Sequence, residues 1–207
     1  MPRFLDISPV VTERIGVWPG DVPYRRRSSL SIEGGANIDL SSVESTLHVG
    51  AHADAPSHYL AGGRTIAEQP LEPYLGPCQV IDARAARGSR ILMADLAAPV
   101  QAPRVLLRTG TFPDPDSFTT DFASLAVSLV EELAASGVLL VGIDTPSVDP
   151  FDDKALEAHH ALARSGMANL EGLVLDAVEP GLYTLVALPL RLAGADASPV
   201  RAVLIRE

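Results

Sequence analysis

The chain has 207 residues, of which 47% are hydrophobic and 20% charged, a composition that fits one globular domain with a core and argues against disorder. Its formal net charge of −10 opposes binding to nucleic acid, whose phosphates attract a basic surface. No stretch approaches the roughly 18 apolar residues of a membrane span, and the N-terminus lacks the apolar core of a signal peptide. A single cysteine, Cys78, cannot close an internal disulfide, and we expect the protein to be located in the cytoplasm. From its length we expect one domain over residues 1–207.

The N-terminal third predicts two strand regions. The apolar run RFLDISPVV is followed by a WPGD turn, which places Trp18 at the edge of a loop. From Ser28 to Gly50, polar and apolar residues alternate as in a half-buried antiparallel strand pair, with Gly34-Gly35 as the hairpin connection. The next segment, HVGAHADAPSHY, would then begin at the end of a strand.

The rest of the chain combines buried strands with two helices. Short apolar runs bounded by Gly and Pro predict strands in CQVIDAR, RVLLRTG, VLLVGIDTPSVDP, NLEGLVLD, YTLVALPLRL and VRAVLIRE. Helical spacing marks SFTTDFASLAVSLVEELAASG, which ends at Gly137, and DDKALEAHHALARSG, which ends at Gly166. Many strands and two substantial helices predict a mixed α/β domain.

The segment HVGAHADAPSHY concentrates His48, His52, Asp54 and His58 within eleven positions. These residues share even parity, so an extended backbone projects them to one side of a sheet. Pro56 lacks an amide hydrogen, and we expect the strand to give way to a turn before His58. Imidazole and carboxylate are ligands of Zn²⁺, and three protein ligands with an open position mark a catalytic site. A chance cluster of surface histidines is the less favoured interpretation.

A second group of polar residues lies downstream. His159 and Glu171 flank a predicted helix end and strand start, which is a weak signal on spacing alone. His160 lies about 100° around the same helix, so it cannot face the same point and is interpreted as solvent-facing or capping. Asp144 and Asp149 follow a buried strand, and a turn-forming role is favoured over a place on a pocket floor.

The segment HVGAHADAPSHY resembles the H-x-G-T-H-x-D-x-P-x-H signature of the metal-dependent cyclase-like hydrolase superfamily, with Ala51 where threonine is usual. The DIS start, the WPGD turn, the spacing of His159 and Glu171, and the ending YTLVALPLRLAGADASPVRAVL resemble the bacterial kynurenine formamidases over essentially the whole chain. The resemblance implies a single swivelling β/β/α domain with a mixed sheet and few helices, usually assembled as a homodimer.

The same resemblance implies two divalent metal ions per subunit, either Zn²⁺ or Mn²⁺, with Zn²⁺ favoured. The residues matching His48, His52 and Asp54 would bind one ion, and Asp54 would bridge to the second. Those matching His159 and Glu171 would complete the second site, with Glu171 also bridging. The absence of a hydroxyl at position 51 puts in doubt a hydrogen bond to a ligand but no ligand itself.

The resemblance further implies that His58 is the proton donor and acceptor and that Trp18 lines the substrate pocket, although Trp18 also fits a core or dimer interface. The implied reaction hydrolyses N-formyl-L-kynurenine to L-kynurenine and formate in tryptophan degradation, by a metal-activated water. The arginines at 25–27 are candidates for the substrate carboxylate by position alone, and a solvated face or a salt bridge is their favoured interpretation.

Two other functions stay open from the sequence. One is hydrolysis of another amide or lactam, such as isatin, by the same superfamily chemistry. The other is a structural or sensory metal-binding domain without catalysis, which is disfavoured because such a site has no use for an additional titrating group at His58.

Overall fold

A computed structural model describes residues 2–206, so Met1 and Glu207 lie outside the described residues. Glu207 is the last residue of the predicted strand VRAVLIRE. The two α-helices within that range are α1 (Val127–Ala135) and α2 (Glu157–Ser165). The strands are β1 (Arg3–Asp6), β2 (Arg25–Leu30), β3 (Leu40–Glu44), β4 (His52–Asp54), β5 (Leu75–Asp82), β6 (Arg90–Ile91), β7 (Arg104–Arg108), β8 (Ser124–Leu125), β9 (Leu140–Ile143), β10 (Ala168–Glu171), β11 (Gly181–Val186), β12 (Ala197–Pro199) and β13 (Val203–Arg206).

Nine strands form one mixed sheet in the order β1-β13-β11-β5-β7-β9-β10-β4-β12. Strands β5, β7, β9 and β10 run parallel to one another, and the other neighbouring pairs are antiparallel. In a flat sheet the seven spacings between β13 and β12 would amount to roughly 34 Å. Residues 200–202 connect these two strands and reach about 14 Å when extended, so the sheet must curl.

The curled sheet buries apolar side chains on both faces. Along β7, Val105 and Leu107 lie in a core with the helices, whereas Leu106 lies in the second core. This alternation follows from the two-residue period of a strand. The helices bury one apolar stripe each in the first core: Leu129, Val130 and Leu133 of α1, and Ala158, Ala161 and Leu162 of α2.

The first helix is shorter than the sequence pattern predicts. The predicted helix covers residues 117–137, whereas α1 begins at Val127, because Ser124 and Leu125 pair with β6 as strand β8. Phe118 and Phe122 pack against Trp18 in an aromatic cluster, so tertiary contacts override the local helical spacing. Gly137 and Gly166 end the helices at φ values of +81° and +65°, as predicted.

Strands β2 and β3 form the predicted antiparallel hairpin, but its predicted half-burial is wrong. Every residue of both strands is exposed, because no described element packs on either face. The hairpin ends at Glu44, and His52–Asp54 form a separate strand within the large sheet. The histidine segment is therefore not the continuation of the hairpin.

The prediction of a mixed α/β fold with few helices is confirmed. The assignment of residues 1–207 to one domain stays a prediction. Among the described residues, no helix is both long and apolar enough to cross a lipid bilayer.

Candidate metal centre

The sheet brings the five predicted metal ligands together. Strand β4 lies between β10 and β12, and its register pairs His52 with Glu171. Helix α2 immediately precedes β10 and carries His159 to the same end of the sheet. Asp54, His159 and Glu171 are buried and offer ligand atoms within 4.8 Å of one another, and so do His48, His52 and Asp54. Asp54 is common to both groups.

Each of the three imidazoles directs one nitrogen at a carboxylate. His48 Nδ1 lies 2.9 Å from Asp54 Oδ1. His52 Nε2 lies 3.6 Å from the same oxygen and 3.3 Å from Glu171 Oε2. His159 Nε2 lies 3.3 Å from Asp54 Oδ2 and 3.4 Å from Glu171 Oε1. The two carboxylates thus stand between three imidazoles.

Hydrogen bonds on the far side of two rings select the tautomer. His52 Nδ1 donates to the carbonyl oxygen of Gly50 at 2.9 Å, and His159 Nδ1 donates to Asp149 Oδ2 at 2.8 Å. In a neutral imidazole the second nitrogen then carries a lone pair. Both lone pairs are directed at carboxylate oxygens, an arrangement that requires a proton or a metal ion in between.

Two buried atoms support a metal ion there. Among the residues described, His52 Nε2 and Asp54 Oδ1 are buried, and their close contacts with the neighbouring carboxylate and imidazole lack hydrogen-bond geometry. A buried polar atom without a partner costs free energy, and a divalent cation that accepts nitrogen and oxygen ligands would satisfy both atoms. The residues present therefore fit a metal site.

The charges of the centre shift its titration strongly. Burial disfavours protonated His48, but Asp54 and Asp196 outweigh burial and raise the pKa of His48 to about 9. Burial disfavours ionised Asp54 and Glu171, but the histidines outweigh it and lower the pKa of both carboxyl groups. Metal binding must displace the protons held by the imidazoles, so metal affinity should rise with pH.

Asp149 holds the ring of His159 and the first residues of α2. This role goes beyond the turn-forming role that the sequence favoured for Asp149. Its carboxylate accepts the backbone N–H groups of Ala158 and His159 at 2.9 and 3.0 Å, and Arg90 donates to it at 3.2 Å. Burial alone would raise the pKa of Asp149, but the His159 ring and the backbone N–H groups of Ala158 and His159 lower it to about 2. A carboxylate behind a ligating histidine fixes the ring and raises its basicity.

Asn169 and the backbone of Val148 complete the buried network, and the sequence interpretation missed both. The Asn169 side chain donates to Asp54 Oδ2 at 2.8 Å and to Glu171 Oε1 at 3.2 Å. The N–H of Val148 donates to the same Glu171 oxygen at 2.9 Å. These donors fix the orientation of both carboxylates. Asn169 lies two residues before Glu171 on β10, so strand parity was the available signal.

His58 lies at the edge of the centre, where the chain turns as predicted. It ends the short 3₁₀ turn Pro56–His58, and its ring centroid lies 4.2 Å from that of His48 and 6.1 Å from that of His159. Its side chain is 35% exposed, and its Nδ1 lies 3.4 Å from Asp196 Oδ2. His58 is thus beside the predicted ligands without facing Asp54 or Glu171.

A cavity of about 300 Å³ opens next to the centre. His48, His52, His58, His159 and Glu171 form its polar end. Aromatic and apolar side chains form most of the remaining wall, among them Trp18, Phe112, Phe118, Ile15, Leu156 and Leu173. An aromatic substrate with one hydrolysable polar group would match this division.

Trp18 lines the cavity and also packs in the aromatic cluster, so the two interpretations of this residue are compatible. Its ring stacks on Phe151 at 4.8 Å between centroids and meets Phe118 edge-on at 5.6 Å. Both distances lie in the range where aromatic pairs attract. The cluster holds the indole at the cavity wall.

Apart from the histidines, the charged residues around the cavity are acidic. Asp21, Asp144 and Asp176 line it, and the described lining contains no Lys or Arg. Asp144 is buried and accepts the N–H groups of Thr109 and Gly110, and burial raises its pKa. The favoured turn role of Asp144 is therefore incomplete, because it also forms part of the cavity. The arginines at 25–27 lie on the exposed strand β2, outside this lining.

Replacing Gly172 by Ala is expected to lower metal affinity by about tenfold. Changes to residues that support a metal ligand usually lower the affinity by about 10–100-fold, and the smaller value is expected here. Gly172 follows Glu171 at a φ of +66°, and an added Cβ would collide with the carbonyl oxygen of Gly50, the acceptor for His52. Titration of the purified variant with Zn²⁺ would measure the change.

Gly137→Ala is the matched control. Gly137 also has a positive φ, +81°, but a Cβ there meets no atom within 4 Å. It should lower stability by about 1–2 kcal/mol through backbone strain without changing metal affinity. Equal metal affinities in the two variants would contradict the proposed support of His52.

Similarity to known proteins agrees with this geometry. The sequence model of the family described as "Putative cyclase" matches residues 5–150. Kynurenine formamidase of Bordetella petrii is 48% identical over 206 residues, which cover 99% of this chain and 98% of that protein. Kynurenine formamidase of Bordetella avium is 47% identical with the same coverage.

Solved structures show the same fold. One described as a potential metal-dependent hydrolase with cyclase activity matches with a TM-score of 0.85 at 29% identity, and both chains are covered completely. A predicted metal-dependent hydrolase from Bacillus stearothermophilus matches with a TM-score of 0.82 at 27% identity, again over both full chains. An isatin hydrolase bound to thioisatinate has a TM-score of 0.82 at 19% identity over 99% of this chain and 92% of its own, which shows the fold alone.

Proposed function

The chain belongs to the cyclase family of metal-dependent hydrolases, and we propose that it is an arylformamidase that hydrolyses N-formyl-L-kynurenine to L-kynurenine and formate. The observation that carries the proposal is the histidine–carboxylate cluster at the end of an aromatic cavity, in a chain similar over its full length to kynurenine formamidases. An arylformamide presents an aromatic ring beside the amide to be cleaved, which matches the two ends of the cavity.

In this proposal His48, His52 and Asp54 hold one divalent ion, and His159 and Glu171 hold a second together with Asp54. The set of three imidazoles and two carboxylates suits Zn²⁺, with Mn²⁺ as the alternative. When bound, such ions act as Lewis acids that lower the pKa of a water and polarise a carbonyl oxygen. Asn169, Val148 and Asp149 hold the ligands in place through the hydrogen bonds described above.

His58 is proposed to move the proton. Its imidazole can accept a proton from the attacking water and return it to the departing anilide nitrogen. General acid–base catalysis of this kind contributes about 10²–10⁴-fold in rate. The position of His58 beside the ligands, with its side chain partly exposed to the cavity, supports this role.

Trp18 is proposed to contact the aromatic ring of the substrate. The indole is held against the cavity wall by Phe118 and Phe151. An aromatic contact contributes about 0.5–1.5 kcal/mol beyond the burial of area. The aspartates of the described lining are possible partners of the substrate ammonium, whereas that lining offers no Lys or Arg to its carboxylate.

Metal removal tests the proposal. Dialysis against a chelator is expected to lower hydrolysis of N-formyl-L-kynurenine by at least ~100-fold, because a Lewis-acidic ion contributes several kcal/mol and each 1.36 kcal/mol is tenfold in rate. Formate release would be measured before chelation, after it, and after add-back of Zn²⁺ or Mn²⁺. Full activity after chelation would reject a metal hydrolase.

Parallel assays separate the alternatives. Faster turnover of isatin than of N-formyl-L-kynurenine would favour a lactam hydrolase. Bound metal without hydrolysis of either substrate would favour a structural or sensory domain.

Assembly as a homodimer is also proposed. Large apolar side chains on and beside the hairpin of β2 and β3 are exposed, including Ile32 at 58% and Val43 at 65%. Such side chains are commonly covered at interfaces. A monomeric mass in analytical ultracentrifugation would contradict the dimer. The cytoplasmic location stays a prediction from the sequence.

A further inference from the structure

We infer that Asp196 is a positioning residue that holds the ring of His58 for proton transfer, through a carboxylate oxygen that it shares with His48. The inference rests on the proposed function, because it gives His58 the role of general base and acid. Asp196 was not singled out in the sequence as a functional residue. It reaches the centre only through the pairing of β12 with β4.

The sheet fixes the backbone of Asp196 beside the centre. Strand β12 begins at the next residue, and its register pairs Ala197 with Asp54. The N–H of Ala55 donates to the carbonyl oxygen of Asp196 at 2.8 Å. Asp196 is therefore attached to the same strand that carries His52 and Asp54.

One oxygen of Asp196 faces two imidazoles. Asp196 Oδ2 lies 3.1 Å from His48 Nε2 and 3.4 Å from His58 Nδ1. In the arrangement we infer, both nitrogens carry a hydrogen and point it at this oxygen. The lone pair of His48 is then on Nδ1, which faces Asp54, and the lone pair of His58 is on Nε2. This is the tautomer that a general base at His58 needs. The contact to His48 is a hydrogen bond, whereas the contact to His58 is at ion-pairing distance without hydrogen-bond alignment, as is common in the absence of substrate.

His58 depends on this contact for its orientation. Within residues 2–206, Asp196 is the only acidic side chain at ion-pairing distance from the His58 ring. The histidine lies at the end of a three-residue turn and is partly exposed, so its ring would otherwise sample several rotamers. Since a displacement of about 1 Å can cost 10²-fold in rate, holding the ring affects turnover.

A metal ion at this position is the competing interpretation. His48, His58 and Asp196 offer atoms within 4.8 Å of one another. However, His48 directs its Nδ1 at Asp54, so a further ion on Nε2 would require this ring to bind two ions at once. The positioning role is therefore favoured.

Kinetics of four variants test the inference. Asp196→Ala is expected to lower kcat by about 10–100-fold, the usual effect of removing a carboxylate behind a functional histidine, and to leave KM within about twofold. Asp196→Asn keeps an acceptor oxygen and should retain more activity than Asp196→Ala. In a His58→Ala background, Asp196→Ala should cause no further loss, because it acts through that ring.

The matched control is Asp6→Ala. Asp6 is similarly exposed, at 44% against 46% for Asp196, and it forms an ion pair with Arg201 away from the cavity lining. Its kcat should equal that of the unaltered protein. Multiplicative losses in the double variant, or full recovery of Asp196→Ala by added metal, would overturn the positioning role.

A second measurement does not depend on turnover. Long-range ¹H–¹⁵N NMR of the histidine rings should show His58 protonated at Nδ1 in the metal-loaded protein and a mixture of tautomers in Asp196→Ala. The same mixture in both proteins, or metal density between His58 and Asp196 in a crystal, would overturn the inference. If the unaltered protein fails to hydrolyse N-formyl-L-kynurenine, the proposed function fails, while the NMR result still decides whether Asp196 orients His58.

Discussion

Replacement of Asp54 by Asn is expected to remove metal from both proposed sites and to lower kcat/KM by on the order of 10³-fold, since several kcal/mol of Lewis-acid stabilisation are lost. Asp54 is the residue common to the two ligand groups. Its Oδ1 faces His48 and His52, and its Oδ2 faces His159 and the amide of Asn169. An amide in its place keeps the volume but removes the negative charge and presents a donor to one imidazole.

The measurements are metal content per chain and formate release. Asp121→Asn is the control, because Asp121 is an exposed partner of Arg87 and lies outside the cavity lining. Circular dichroism would verify that the Asp54 variant is folded. Two bound ions in the Asp54→Asn protein would show that Asp54 is not a shared ligand, and the two-metal arrangement would have to be abandoned.

The sequence predicted best those parts of the site that are close together along the chain. His52 and Asp54 alternate on one short strand, so parity placed them on one face correctly. The turn at Pro56 followed from its missing amide hydrogen. His159 and Glu171 gave only a weak signal by spacing, and their assignment came from the family resemblance.

The parts that were missed depend on sheet register. Asp196 meets His58 because β12 pairs with β4, and Asp149 meets His159 because a loop folds back over the start of α2. Neither relation has a local pattern in the sequence. The hairpin was predicted as half-buried because its alternation indicates one covered face, and the described chain supplies nothing to cover it.

The same electrostatics predict that metal affinity, and with it activity, falls as the pH is lowered. In the metal-free protein His48 has a pKa raised to about 9, so it holds a proton throughout the neutral range. An ion must displace that proton, and the cost of displacement grows by 1.36 kcal/mol for each pH unit below the pKa. We therefore expect the proposed metal to be lost at low pH, and the assays of the other variants should be compared at one pH.

The His58→Ala variant is expected to keep the metal content of the unaltered protein and to lose about 10²–10⁴-fold in kcat for N-formyl-L-kynurenine, the contribution of a general acid and base. The ring of His58 lies beside the cluster, but its nitrogen contacts Asp196 and not Asp54 or Glu171. Removal of the ring therefore deletes the proposed proton carrier and leaves the five proposed ligands in place.

Added imidazole provides the decisive comparison with Asp54→Asn. A small base that diffuses into the cavity left by His58 should restore part of the kcat of His58→Ala, because only a proton carrier is missing. It should not restore Asp54→Asn, where the metal itself is absent. Full activity of His58→Ala without imidazole would show that another group moves the proton. Loss of metal in His58→Ala would instead show that His58 belongs to the ligand set.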